Sequence, residues 1–242
     1  MPVRLLYWPQ LPGRGELVRL VLAEAGLDWS EPAREQGSVQ PVLDALSAPG
    51  ELPHFAVPVL EIGGLRLSQT ASIARYVACK HGLEGSSEAH ACHALQLAMT
   101  VMDLLGEVHD THHPVSTALY FEDQRTEAQK AAVSFRGQRL PKFLARFDAV
   151  LAHNAAEHPG SGWLLGPERT YADLFLAHAI DGLSHAFPLA MAGRLGEVPR
   201  LVAHRDQVFA LPRVAAYRAS QRRLPFNAHG IFRHYPDLDG AP

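Results

Sequence analysis

Residues 55–77, FAVPVLEIGGLRLSQTASIARYV, limit the possible folds more tightly than any other stretch of the chain. The apolar runs 57–60 and 65–67 flank Gly63-Gly64, the signal for a two-residue β-hairpin. Pro58 stands at the start of the first run, where its missing N–H costs no ladder bond. Gln69-Thr70 follow at once, and Thr70 falls where a helix N-cap belongs, ahead of Ile73, Ala74, Tyr76 and Val77. A helix N-terminus with a hydroxyl and an amide side chain beside it is suited to holding a small carboxylate.

The start of the chain carries a second unit of the same kind. Residues 3–8, VRLLYW, read as a strand and residues 9–13 as a turn. Residues 14–26 read as a helix with Leu17, Leu20, Val21 and Ala25 on one face. An aromatic hydroxyl, Tyr7, thus ends the first strand, and an arginine, Arg14, opens the first helix.

Together these segments resemble the glutathione site of the cytosolic glutathione transferases, in particular the tyrosine-type alpha, mu, pi and sigma classes. The resemblance implies a thioredoxin-like domain in which Val57-Pro58 is a cis peptide opening a strand. There the backbone of Val57 would pair with the cysteinyl part of glutathione, while Gln69 and Thr70 hold its γ-glutamyl carboxylate. Tyr7 takes the position of the catalytic tyrosine and Arg14 that of the arginine opening the first helix, with a loop one residue longer than usual. No clear counterpart is found for the Trp or Lys that grips the glycine carboxylate, so Arg34 and Gln36 stand as candidates.

The chemistry needs those residue types. The nucleophile is a thiolate, and a free thiol near neutral pH is mostly protonated. A phenol hydroxyl aimed at the sulfur stabilises the thiolate by a charge-assisted hydrogen bond, and the positive end of a helix acts in the same direction. The reactive group belongs to the cosubstrate; the protein supplies orientation and field. Singly, each residue has an ordinary reading: a packing aromatic, a solvated arginine, a plain helix cap. Their joint order along the chain carries the inference.

With 47% hydrophobic and 19% charged residues the chain of 242 residues is an ordinary globular one, long enough for two cores. A net charge of −3 offers no electrostatic case for nucleic acid or acidic membranes. No apolar run approaches the ~20 residues needed to span a bilayer. The N-terminus lacks the pattern of a secretory signal, and the two cysteines, Cys79 and Cys92, form no CxxC pair; both point to a reducing, cytoplasmic setting.

After residue 81 the pattern becomes helical. The expected layout is an α/β thioredoxin-like domain over 1–81, a Gly/Ser linker over 82–87 and an all-helical bundle with a C-terminal tail over 88–242. A long helix is expected from residue 88 to about 108, and another over 126–156 interrupted or kinked at Pro141. Thr170 and Asp173 form a capping box, and Asp173 is read as structural. Asp103, in an apolar context where an unpaired charge is costly, is a candidate for the γ-glutamyl amine across a dimer, with an intrasubunit partner as the alternative. The cluster of His109, His112 and His113 lacks a metal-binding pattern and is read as supporting the helix end, with no metal. Residues 221–236 read as a tail packed back over the protein. The resemblance further implies a homodimer, with Phe55 as an aromatic plug.

Three functions fit: conjugation of glutathione to a small apolar electrophile, a glutathione-dependent peroxidase or isomerase on the same scaffold, and a non-catalytic ligand-binding protein. Should Tyr7 not be the activating group, Ser68 is the next hydroxyl in line.

Overall fold

The computed structural model describes residues 2–48 and 52–240. In chain order these hold β1 (Val3–Leu6), α1 (Gly13–Glu24), β2 (Trp29–Ser30), α2 (Pro32–Glu35), α3 (Gln40–Ser47), β3 (Val59–Ile62), β4 (Leu65–Ser68) and α4 (Thr70–His81). There follow α5 (Glu88–His112), α6 (Arg125–Ser134), α7 (Leu140–Glu157), α8 (Tyr171–Ala186), α9 (Pro188–Ala192), α10 (Pro199–Phe209) and α11 (Pro212–Ala219). They pack as two compact units, one of residues 1–84 and 209–225, the other of residues 85–208 and 226–242. The chain therefore passes between units three times, where the sequence suggests one passage at 82–87.

In the first unit the strands form one mixed sheet in the order β2-β1-β3-β4. β1 runs parallel to β2 and antiparallel to β3, and β3 is antiparallel to β4. The Gly63-Gly64 turn has φ of 58° and 85°, the doubly positive geometry that lets two residues reverse the chain and that glycine adopts without steric cost. Ile62 pairs with Leu65 across it. The sheet is thin, so its faces must be covered: α1 packs against α4 on one side and also receives α11. Leu5, Leu17, Val18, Val21, Leu60, Ile73 and Ala74 are fully buried there. At residues 82–87, Gly82 ends α4 in the left-handed conformation and the Ser87 side chain accepts the His90 N–H to start α5.

The second unit is built around α8, which is buried on nearly every face and packs along α5. Asp173 caps it: Oδ2 accepts the Thr170 N–H at 2.6 Å and the Thr170 hydroxyl at 2.9 Å. Oδ1 accepts the Leu164 N–H at 2.8 Å and faces His204 Nε2 at 2.9 Å. The interruption expected at Pro141 is a π-helical turn, Phe135–Arg139, joining α6 to α7. Pro141 lies in the first turn of α7, where its absent N–H is tolerated, and the Leu140 N–H reaches back to the Phe135 carbonyl to widen the turn. No single helix among the described residues is long and apolar enough to cross a membrane.

The tail divides. Within the second unit Phe232 packs over Gly182, where an added Cβ would lie 2.3 Å from the ring. The Phe226 ring stacks on His178 and His185. His112, fully buried, faces the Ile231 carbonyl through Nε2 at 3.0 Å, and Arg233 faces His113 at 3.1 Å. The histidines at the end of α5 thus anchor the tail. Burial pushes the His112 pKa down to about 3, and burial lowers His113 in the same direction. Among the described residues no group of three or more His, Cys, Asp or Glu is arranged to hold a metal ion.

Candidate active site

Helix α1 lacks a local cap. Its N-cap residue is Pro12, whose side chain offers no acceptor, so the first N–H groups need an oxygen from elsewhere. Tyr7 supplies it: the phenol oxygen accepts the Arg14 N–H at 3.0 Å. The close approach depends on two glycines. A Cβ at Gly13 would lie 2.3 Å from the phenol oxygen, and one at Gly15 would lie 2.5 Å from the ring. With its lone pairs engaged by the helix amides, the hydroxyl keeps its proton for an acceptor on the other side.

Burial raises the Tyr7 pKa above the ordinary phenol value. The Arg14 and Gly15 amides and the Arg19 and Arg14 charges pull the other way without overcoming it. At neutral pH Tyr7 is consequently a protonated donor, the form required to hydrogen-bond a thiolate. It is the Arg14 amide that touches Tyr7; the Arg14 side chain is exposed.

Strand register brings the sequence-predicted residues into one row. Leu6 pairs with Val59, and Val59 with Ser68. Tyr7, Pro58 and Gln69 are the chain neighbours of these three paired residues just outside β1, β3 and β4, so all three stand at the same edge of the sheet. Neighbouring strands lie about 4.8 Å apart, so the row spans about 10 Å, the reach of three extended residues at ~3.3–3.6 Å each. The Val57-Pro58 peptide is cis. Pro58 is buried, while Val57 is half-buried against Leu6, Ala45 and Val59.

At the far end of the row the sequence reading needs a correction. The N-cap of α4 is Gln69, and Thr70 is the first helical residue. The reason is conformational: Gln69 has φ of 69°, outside helical space and costly for a residue with a Cβ. Thr70 is released from capping. Its hydroxyl oxygen is buried and has no hydrogen-bond partner among the described residues. A buried hydroxyl left unmatched at a helix N-terminus has the chemistry to meet an anionic group.

A family model, that of the glutathione S-transferase C-terminal domain, matches residues 109–221. A glutathione S-transferase of Plasmodium yoelii yoelii is 26% identical over 211 residues, covering 87% of this chain and 90% of that protein. The hematopoietic prostaglandin D synthase of Gallus gallus is 28% identical over 217 residues, covering 90% and 96%. Among solved structures, that of monomeric Na-GST-3, a glutathione S-transferase of Necator americanus, superposes with a TM-score of 0.64 at 21% identity, covering 93% of this chain and all of that one. The family model, the relatives and the solved structure agree in likening this chain to the glutathione transferases. Its sheet-plus-helices architecture is the glutathione transferase fold that the sequence led us to expect.

Not every expected residue of this transferase joins the row. Asp103 is exposed on α5 and has no hydrogen-bond or ion-pair partner among the described residues; the apolar context read from its neighbours is the buried face formed by Leu104 and Leu105. Helical geometry turns Asp103 away from that face, so its charge costs little. Arg34 donates to the carbonyls of Gln221 and Arg222, engaging both terminal nitrogens. Gln36 is exposed beside a cleft of about 380 Å³ that also contains Arg4, Asp44 and Glu61.

Sequence reasoning missed the buried charges behind Tyr7. Arg19 is completely buried, with its guanidinium carbon 5.7 Å from the Tyr7 ring centre. It grips Glu31 through Nε and Nη2, the shortest contact being 2.7 Å, and meets Glu16 at 3.3 Å. The Trp29 indole N–H donates to Glu31 at 3.1 Å. The only local signal was the Glu16–Arg19 spacing of i, i+3 inside a helix otherwise rich in apolar residues.

Proposed function

We propose that this glutathione transferase is of the tyrosine type, with Tyr7 activating the glutathione thiol for attack on a small apolar electrophile. The single observation that supports this most is the row formed by Tyr7, cis-Pro58 and Gln69, with the unpartnered Thr70 hydroxyl at its end. An extended tripeptide laid along the row would place its central sulfur near the phenol and its γ-glutamyl carboxylate at the α4 N-terminus. The Val57 backbone would pair with the cysteinyl residue, and Arg14 would add positive charge at the helix start. Tyr7, still protonated, then donates a hydrogen bond to the thiolate as the thiol proton leaves to solvent, while the Arg14 amide holds the phenol oxygen in place.

The test is Tyr7→Phe, which keeps the ring and removes the hydroxyl. Conjugation of glutathione to a generic aryl halide should fall at least about a hundredfold, with glutathione affinity changed only modestly. Equal turnover would move the role to another hydroxyl, Ser68 at the end of β4 being the candidate. The likeness to a prostaglandin D synthase keeps an isomerase reading alive, and comparing aryl-halide turnover with isomerase and hydroperoxide turnover distinguishes them. The protein is proposed to act in the cytoplasm and as a homodimer in which the 94% exposed Phe55 is covered and Asp103 serves the partner's glutathione. Sedimentation of wild type and Phe55→Ser at equal concentration tests this; a wild-type monomer would refute it.

A further inference from the structure

Tyr217, near the end of α11, lies 201 positions along the chain from Glu16, yet its hydroxyl donates to both Glu16 oxygens at 2.9 and 3.0 Å. Arg223, just beyond the same helix, meets Glu16 through Nε at 3.1 Å. Glu16 in turn contacts Arg19, and Arg19 Nη1 faces the carbonyls of Leu11 and Pro12 at 3.4 and 3.3 Å. Those two residues immediately precede Gly13 and Arg14, whose amide holds the Tyr7 oxygen. An unbroken chain of buried polar contacts therefore links the returning C-terminal segment to the turn that presents Tyr7.

We propose that Tyr217 and Arg223 are positioning residues for Tyr7, acting through Glu16 and Arg19 to set both the geometry of the α1 N-terminus and the electrostatic potential at the thiol. The proposal rests on the reading of Tyr7 as the thiol-activating group. The charged groups that face Tyr7 are Arg14 and Arg19, both on α1. Arg19 is balanced by Glu16 and by Glu31 from the segment before α2, and Glu16 by Arg223. Two guanidinium groups thus stand against two carboxylates. Burial and the neighbouring Glu16 push the Tyr217 phenol well above its usual range, so it contributes a hydrogen bond and no charge. In a site shielded from water, removing one member leaves a net charge whose field reaches the sulfur.

The sign of that residual charge makes the role testable. Arg223→Met leaves an excess negative charge and should raise the pKa of bound glutathione. Glu16→Gln leaves an excess positive charge and should lower it. Each shift is expected to be about one pH unit, read from the ultraviolet band of the thiolate in the binary complex. Loss of packing alone would not move the two variants in opposite directions. Shifts of the same sign, or none in folded variants, would overturn the proposal. Tyr217→Phe keeps the ring and all four charges, and it guards against variants that do not fold. Its kcat should fall about tenfold with KM for glutathione unchanged, and an unaltered kcat would overturn the positioning role. Tyr7→Phe separates the underlying reading: if its thiolate band titrates as in wild type, Tyr7 is not the activator, while the opposite shifts still decide the role of the cluster.

Discussion

The ring of Tyr7 occupies the space that a side chain on Gly15 would need: an added Cβ would lie 2.5 Å from its Cδ1. Gly15 is within α1 and its φ is not positive, so alanine there brings no backbone strain. The cost of Gly15→Ala falls on the ring, which must move off the helix start. A displacement of about 1 Å is enough to lose on the order of a hundredfold in rate. We expect Gly15→Ala to lose at least about tenfold in kcat while keeping a wild-type circular dichroism spectrum; full turnover would mean that the ring position is not critical.

Thr70 offers a test with opposite signs in two measurements. Its buried hydroxyl is unpartnered among the described residues, and such a group costs about 1–3 kcal/mol to bury. Thr70→Val keeps the shape and removes that cost. The ligand-free protein should therefore melt at the same temperature or slightly higher, while KM for glutathione rises about tenfold. A variant that melts lower with unchanged KM would assign the hydroxyl to stability.

Asp173 should behave in the reverse way. It accepts from Thr170 and Leu164 in a buried setting, so Asp173→Ala strands several donors at once. The expected loss is about 3 kcal/mol or more, read as a lower urea midpoint. Activity per folded molecule should persist, since its hydrogen bonds go to Leu164, Thr170 and His204 within the second unit. A specific-activity defect in fully folded Asp173→Ala would contradict this.

Acid sensitivity follows from His112. Burial lowers its pKa from 6.5 to about 3 in the folded protein. The unfolded chain therefore binds a proton there between pH 6.5 and 3 that the folded chain does not, and stability falls as pH drops through that window. The contribution is fully present above pH 6.5. Burial lowers His113 and His185 in the same direction. Urea midpoints measured from pH 7.5 down to about 4.5 should fall more steeply for wild type than for His112→Gln, which cannot take up that proton. Equal slopes would show that His112 titrates normally.

Local chemistry made much of this legible in the chain alone. The Gly63-Gly64 reversal, the proline at a strand start, the Gly82 and Ser87 helix boundary and the Thr170–Asp173 cap each depend on residues within a few positions of one another. Backbone conformational preference acts at that range. The same reasoning went wrong by one residue at Thr70, because the positive φ of Gln69 has no propensity signal in a glutamine. It also misjudged the surroundings of Asp103, whose apolar neighbours in sequence lie on another face of α5.

The amino-acid order by itself determined which residues could form the row of Tyr7, Pro58 and Gln69, because strand period and hairpin register follow from local pattern. Only the tertiary structure decided what stands behind that row. The return of residues 209–225 to the first unit and the burial of Glu16, Arg19 and Glu31 with Tyr217 and Arg223 join residues about two hundred positions apart. Such contacts arise from the closing of a shared core and the mutual compensation of buried charge, and neither leaves a periodic trace in the sequence.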